Sequence, residues 1–170
     1  IDIKHSKQVC DFGIGFYLGD DKMQAENRVC NVSKAVLYKF ELFIGDSKIY
    51  TFKDDTLWAL YIAYNRGKFN FNAYPKLIKM FSSISKHDIV VGKIADDKIA
   101  DAYNDFLEGN TTDKVLSESL KLVRYGKQYV IKHQRVCSQN KLKILNKVTL
   151  SKNEKQLALD WGKQVKKNMN

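Results

Sequence analysis

The sequence predicts an α+β fold with a mainly antiparallel, split sheet flanked by helices. Stretches with strand periodicity are interrupted irregularly by helical patterns, which is typical of α+β proteins rather than of regular βαβ repeats. Two alternating stretches are joined by the turn signal Gly45-Asp46-Ser47, which indicates an antiparallel hairpin. With 170 residues, 44% of them hydrophobic, the chain can bury an ordinary core. We therefore expect one domain over residues 1–170.

In the first half of the chain, acidic residues mark the starts of the predicted helices. Asp20 or Asp21 can cap the first helix, and Asp54 or Asp55 the second, because an aspartate accepts hydrogen bonds from the unpaired N–H groups of a first turn. The predicted elements are, in order, a loop over 1–9, a strand over 16–18, a helix over 23–33, paired strands over 35–44 and 48–52, a helix over 55–66 and a helix over 75–82.

The second half of the chain predicts strands in two different environments. Residues 87–95 form a continuous β-branched run, which indicates a strand in the middle of a sheet. The strand over 141–150 alternates instead, with Leu142, Ile144, Val148 and Leu150 predicted to point inward and Lys141, Lys143 and Lys147 outward. The remaining predicted elements are a helix after Asp96-Asp97 that stops at Gly109, a helix from Thr112 or Asp113 to 123, a strand over 128–132, and a helix over 153–167 that buries Leu157, Ala158, Trp161 and Val165.

The net charge of +10 is concentrated in the last third of the chain. Residues 111–170 hold 14 Lys and Arg against 4 Asp and Glu, whereas residues 1–110 hold 15 of each class. Such asymmetry favours an anionic partner, either nucleic acid or an acidic protein. A lysine-rich surface that serves solubility alone explains the charge equally well. No arginine-rich arm or aromatic RNA-binding signature accompanies it.

Several classes of protein are excluded or disfavoured by the sequence. The pattern Gly-x-x-x-x-Gly-Lys-Ser/Thr is absent, which excludes a P-loop NTPase, and no apolar run reaches the roughly 18 residues of a membrane-spanning helix. The histidines lie far apart in sequence, so no metal site is predicted. Cys10, Cys30 and Cys137 show no paired spacing, which favours a reducing, cytoplasmic setting. Without an initial Met, we expect the chain to begin partway through a longer protein or to have lost its first residues.

The segment from Asp11 to Asp21 is where we expect chemistry. Gly13 and Gly15 allow the backbone to bend sharply or let a ligand approach closely, because glycine has no Cβ. A short aromatic and apolar run follows, and then a capped helix. Such an arrangement frames a flat ligand in some proteins and makes an ordinary turn in others. The residues alone leave both interpretations open.

This segment resembles the nicotinamide-pocket segment of the ADP-ribosyltransferase superfamily, in the branch of diphtheria toxin and poly(ADP-ribose) polymerase. Both have a Phe-Gly-x-Gly-aromatic-Tyr strand that leads into a helix. The chain resembles more closely a bacterial family of unknown function that is grouped with ADP-ribosyltransferase-like toxins. The motifs that carry this resemblance are Asp11 to Leu18, Gln24-Ala25, Trp58 with Asn65-Arg66-Gly67, and Asp88 to Asp97, in the family's order.

The resemblance implies roles for five residues in binding and breaking NAD. Tyr17 would stack on the nicotinamide ring, since an aromatic face is what holds a flat ring. Gly13 and Gly15 would let NAD pass close to the backbone, and Gln24 would meet the carboxamide. Gln128 opens a strand where the superfamily has a catalytic Glu, which hydrogen-bonds ribose and steadies the positive charge that develops as nicotinamide leaves. The neutral Gln128 amide would act there without a full charge.

The resemblance also implies a function. The protein would be a single ADP-ribosyltransferase-like domain that uses NAD as a substrate and needs no metal. It would transfer ADP-ribose to a protein or nucleic acid, as a bacterial toxin or defence effector with an acidic antitoxin-like partner and no membrane association. The superfamily's first strand would lie before residue 1 or be lost, and Arg28 stands where relatives have a second stacking aromatic residue. The alternative is a catalytically degenerate module that binds nucleic acid or an acidic partner through its basic C-terminal third.

Overall fold

The computed structural model describes residues 1–7, 9–95, 102–103, 105–112, 114–116, 118, 126–138 and 140–167. The strands in these ranges are β1 (Phe16–Gly19), β2 (Val36–Leu42), β3 (Ile49–Thr51), β4 (Ile89–Lys93), β5 (Lys127–Ile131) and β6 (Leu142–Thr149). The long helices are α1 (Lys22–Val29), α2 (Asp55–Arg66), α3 (Pro75–Ser85) and α4 (Lys152–Lys167). Short 3₁₀ turns lie at Ile3–His5, Phe71–Ala73 and Gln134–Cys137. The fold is therefore α+β, as predicted.

The described strands form two separate sheets. The larger sheet has the order β1-β5-β4-β3, and the smaller one pairs β2 with β6. Every pair is antiparallel except β3 with β4, which is parallel. The burial of β4, with Ile89 to Gly92 all buried, confirms the predicted strand in the middle of a sheet.

The turn at residues 45–47 is present, but it does not join a hairpin. The Ser47 N–H donates to the Ile44 carbonyl oxygen at 3.0 Å, which closes the turn. The strands on either side belong to different sheets, because β2 pairs with β6 and β3 pairs with β4. The predicted hairpin is wrong, because each strand finds a partner far along the chain. Phe40 of β2 and Ile49 of β3 still meet in one apolar cluster between the two sheets.

Helix α2 supports one face of the larger sheet. Asp54 caps it by accepting from the Leu57 N–H at 2.8 Å, and Gly67 ends it in a left-handed conformation with φ +64°. Trp58 and Tyr61 are fully buried in the main core, which also contains Phe12, Phe81 and Val130. This core lies on the same face of the larger sheet as the loop that precedes β1.

The β2–β6 ribbon is interrupted by a bulge. Lys39 pairs with Asn146 and the next residue, Phe40, pairs with Ile144, so Leu145 is an extra residue in β6. Since side chains alternate between the two faces of a strand, the extra residue reverses the alternation on either side of it.

The bulge places Lys143 and Lys147 on opposite faces of the ribbon. Lys143 is paired with Glu41, whereas Lys147 is paired with Tyr38 and has its Nζ 5.5 Å from the centroid of the Tyr38 ring. The predicted common outward face of the lysines is therefore wrong. The inward prediction is confirmed for Leu142 and Leu150, which are buried, and wrong for Ile144 and Val148, which are 53% and 39% exposed.

Helices α1 and α4 pack against each other. Asp21 caps α1 by accepting from the Gln24 N–H, and Asn27 donates from Nδ2 to the Ala158 carbonyl oxygen of α4 at 2.8 Å. Helix α1 ends at Val29, earlier than predicted. Ala158 is buried as predicted. Leu157 is 57% exposed, so its predicted burial is wrong, because the part of α4 that meets Asn27 of α1 carries Ala158 and Gly162.

The predicted helices after residue 95 lie partly outside the described residues. Asp96, Asp97 and Asp113 are among the residues without a description, so their predicted capping roles stay predictions. Thr112 accepts from the Val115 N–H at 3.3 Å, in the manner of an N-cap. No helix among the described residues is long and apolar enough to cross a membrane.

Candidate functional site

The glycine segment forms a tight loop before β1. Gly13 has a φ of +70°, a left-handed conformation that favours glycine. A Cβ at Gly13 would lie 2.6 Å from Oδ1 of Asn65, and one at Gly15 would lie 2.6 Å from Cγ1 of Val130 and 2.8 Å from the Ile131 carbonyl oxygen. Both glycines therefore let the loop pack directly on α2 and β5.

Tyr17 fastens this loop to β1 through its hydroxyl group. The hydroxyl accepts from the Phe12 N–H at 2.9 Å and donates to the Gly13 carbonyl oxygen at 2.7 Å. Burial raises the pKa of Tyr17 above its ordinary value, so the group is a neutral phenol at physiological pH. The side chain is only partly buried, and it packs against the main core.

Asp11, Arg66 and Gln128 form a polar cluster beside the loop. Arg66 donates to Oδ1 of Asp11 from Nε at 2.9 Å and also from Nη2, and the two side chains are 21% and 14% exposed. Gln128 is 6% exposed, and its Nε2 donates to the Lys93 carbonyl oxygen at 3.0 Å and, at the long distance of 3.4 Å, to Oδ2 of Asp11. A charge-assisted pair thus holds the start of the loop, and the loop in turn holds the Gln128 amide.

Gln128 and Tyr17 project from the same face of the larger sheet. Gln128 of β5 is paired with Gly19 of β1, and Tyr17 is paired with Val130, two residues further along β5. Because alternate residues of a strand share a face, both side chains lie on the α2 side of the sheet. The carbonyl oxygen of the Gln128 side chain accepts no hydrogen bond from any described residue. It is the open acceptor of the cluster.

Gln24 reaches the same strand pair from α1. Its side-chain Oε1 lies 3.7 Å from the point where a Cβ of Gly19 would be, and Gly19 is the partner of Gln128. The structure therefore groups the five predicted site residues around β1, with the two glycines at one end and the two glutamines at the other: Gly13, Gly15, Tyr17, Gln24 and Gln128.

Four residues of the site were not predicted as site residues: Asp11 and Arg66, which were named only as parts of motifs, and Lys132 and Ser6. Lys132, directly after β5, donates from Nζ to the Phe12 carbonyl oxygen, and burial lowers its pKa from 10.5 to about 8. The position of Lys132, two residues beyond Val130 and therefore on the same face, was a signal that could have found it. Ser6 accepts from the Gly15 N–H at 3.0 Å. No signal in the sequence pointed to Ser6.

Cys10 borders this site, because its carbonyl oxygen accepts from the Gly13 N–H at 3.0 Å. Cys10, Cys30 and Cys137 are free thiols. Within the described ranges, no three His, Cys, Asp or Glu side chains come together in a way that could hold a metal ion.

Comparison with known protein families gives a match. A family described as "Protein of unknown function (DUF3990)" matches residues 1–143, which include every element from β1 to β5 and the start of β6. No curated protein and no solved structure matches the chain.

Proposed function

We propose that this chain, which belongs to the DUF3990 family, is an NAD-dependent ADP-ribosyltransferase whose NAD site lies on the larger sheet. The residues that match the family, 1–143, include every strand of that sheet. The proposal includes an ADP-ribosyltransferase-like fold. It also includes transfer of ADP-ribose to a protein or nucleic acid by a bacterial toxin or defence effector that acts inside cells.

The observation that carries the proposal is the pairing of two motifs that are over 100 residues apart in sequence. The strand that follows Gly-x-Gly lies beside the strand that bears Gln128, in antiparallel register. Tyr17 and Gln128 share a face, and Gln24 lies over Gly19 at the same end as Gln128. A ligand that needs an aromatic face and a hydrogen-bond acceptor finds both on this face.

In the proposed reaction, NAD lies with its nicotinamide ring against the exposed part of Tyr17. The glycosidic bond between nicotinamide and ribose breaks, nicotinamide leaves with the bonding electron pair, and C1′ of ribose bonds to a nucleophile of the acceptor, which loses a proton. The open carbonyl oxygen of Gln128 accepts a hydrogen bond from a ribose hydroxyl. A partial negative charge on that oxygen favours the positive charge that develops on ribose, but less than a carboxylate would.

Release of nicotinamide tests this function, with water serving as the acceptor when no macromolecule is present. We expect the 170-residue chain to release nicotinamide from NAD faster than buffer does, as measured by chromatography. Gln128→Ala should lower the rate by about a factor of 10 to 100, as expected for loss of one group that interacts with a developing charge. Gln164→Ala, an exposed change in α4, is the matched control and should leave the rate unchanged. A rate equal to that of buffer overturns the transferase proposal.

The second candidate function is a module that keeps the fold without turnover. It is favoured by the neutral side chain of Gln128, whose amide is already committed to two acceptors. In that case NAD is bound but not cleaved, or the basic C-terminal third binds an anionic macromolecule. Binding of NAD without release of nicotinamide identifies the first of these outcomes.

A further inference from the structure

We propose that the outer edge of β6 binds an extended acidic segment of a partner protein, which adds a third strand to the β2–β6 ribbon. The proposal goes beyond the NAD site and does not depend on it, because the ribbon lies in the smaller sheet.

The outer edge of β6 has no strand partner among the described residues. One side of β6 pairs with β2, and no other described strand pairs with its second side. Residues 143–149 are all exposed. The N–H of Lys147 is satisfied by Oδ1 of its neighbour Asn146 at 2.7 Å, where a strand partner would otherwise accept. An exposed strand edge of this kind pairs readily with a further strand.

The side chains along this edge define the chemistry of the strand that fits. One face of β6 presents Ile144 and Lys147, and the other presents Lys143 and Val148. Each face therefore offers one apolar and one positively charged position. Since directly opposed side chains of neighbouring strands interact, the matching strand carries an apolar residue and an acidic residue on each of its faces.

The same pattern disfavours the other occupants of the edge. A nucleic acid strand binds along a row of cations that lie on one surface. The bulge at Leu145 places Lys143 and Lys147 on opposite faces of the ribbon, so they do not form such a row. A second copy of the chain would bring its own Lys143 and Lys147 to the same edge, so the two strands would carry charge of the same sign and would not complement each other.

A peptide made of three Val-Glu-Thr repeats, with blocked ends, is the probe. We expect saturable binding to the 170-residue chain by calorimetry, and slower hydrogen exchange of the backbone amides of residues 143–149 in the complex. A peptide of Val-Lys-Thr repeats should bind at least about tenfold more weakly, because its lysines oppose those of β6. An oligothymidylate of similar length serves as the nucleic acid probe.

Charge reversal separates the edge from general electrostatic attraction. Lys143→Glu combined with Lys147→Glu should weaken binding of the acidic peptide by about tenfold or more and strengthen binding of the lysine peptide. The control variant, Lys152→Glu with Lys167→Glu in α4, makes the same change in net charge at exposed positions outside the ribbon and should bind the acidic peptide nearly as well as the parent. Equal losses in both variants, or unchanged exchange at residues 143–149, overturn the proposal. Tighter binding of the oligothymidylate than of the acidic peptide overturns it in favour of nucleic acid.

Discussion

At the scale of single residues, Gln128 is the side chain that decides how the site is understood. Its Nε2 donates to two acceptors, the Lys93 carbonyl oxygen and Oδ2 of Asp11. An amide fits between two acceptors, whereas an ionised carboxylate does not. The glutamine is therefore part of a specific arrangement in this chain, and a glutamate cannot simply replace it.

The variant Gln128→Glu should be destabilised at neutral pH. The new carboxylate would be buried beside Asp11 without a donor, at a cost of about 2–4 kcal/mol in the free energy of unfolding. Burial and the Asp11 charge would raise the pKa of the new group in the folded state. The loss relative to the parent should thus be smallest near pH 4, where the acid is protonated, and should grow as the pH rises. Urea denaturation at pH 4 and at pH 7 measures both values.

The exposed change Gln164→Glu in α4 is the matched control, and it should alter the free energy of unfolding by less than about 0.5 kcal/mol at either pH. A Gln128→Glu variant as stable as the parent at pH 7, with a measurable gain in nicotinamide release, would contradict this view. It would mean that the site accepts a catalytic carboxylate without rearrangement.

At the scale of elements, local patterns predicted which residues form strands but not how the strands pair. The existence of β4, β5, α2 and α3 could be predicted, because caps such as Asp54 and runs such as residues 89–93 act within a few residues. The partner of β2 could not, since pairing depends on which apolar surfaces meet in space. The bulge at Leu145 could not be predicted from the sequence either, and it reversed the faces of Lys147 and Val148 relative to those of Leu142 and Ile144.

Lys132 links β5 to the glycine loop through its hydrogen bond to the Phe12 carbonyl oxygen. Because its amine is desolvated there, we expect the free energy of unfolding to depend on pH. The pKa of Lys132 is lowered by burial to about 8 in the folded state, against 10.5 when exposed. Between those values the unfolded chain binds more protons, so the free energy of unfolding gains a contribution that grows as the pH rises from 8 to 10. Relative to Lys132→Met, the parent should gain roughly 2 kcal/mol over this range in urea denaturation.

The control for this change is Lys79→Met, an exposed substitution in α3. Its free energy of unfolding should follow that of the parent from pH 8 to pH 10. A constant difference between the parent and Lys132→Met over the same range would show that the amine of Lys132 is not desolvated, and that the loop is not held as described.

At the scale of the whole molecule, the sequence showed which third of the chain holds the excess positive charge, but not where those side chains lie on the surface. The net charge of +10 in residues 111–170 does not form one basic face from the lysines of β6. Lys143 and Lys147 point to opposite sides, and Lys141 is paired with Asp46. A count of charges does not show which lysines are paired with an acid, or which face of a strand each lysine occupies. Because the lysines of β6 do not share one face, they give no support to the nucleic acid alternative.

The motifs that carried the family resemblance, by contrast, meet in one place. Asp11 of the glycine segment pairs with Arg66 of the Asn-Arg-Gly motif. Trp58 donates from its indole nitrogen to the Lys93 carbonyl oxygen at 3.1 Å, and Gln128 donates to the same oxygen. Separate motifs in the right order could therefore be identified from sequence. Their contacts could not, because they depend on the packing of α2 against the larger sheet.

Calorimetric titration with NAD tests the central claim most directly, namely that the face of the sheet around Tyr17 and Gln128 is an NAD site. We predict a saturable heat for the parent chain and for Tyr74→Ala, which removes an exposed tyrosine outside the site. The heat should be lost in Tyr17→Ala, and binding should be weakened about tenfold in Gln24→Ala, which removes only the proposed contact with the carboxamide. Thermal denaturation verifies that each variant is folded. A heat indistinguishable from buffer with the parent, or undiminished binding by folded Tyr17→Ala and Gln24→Ala, would contradict the account.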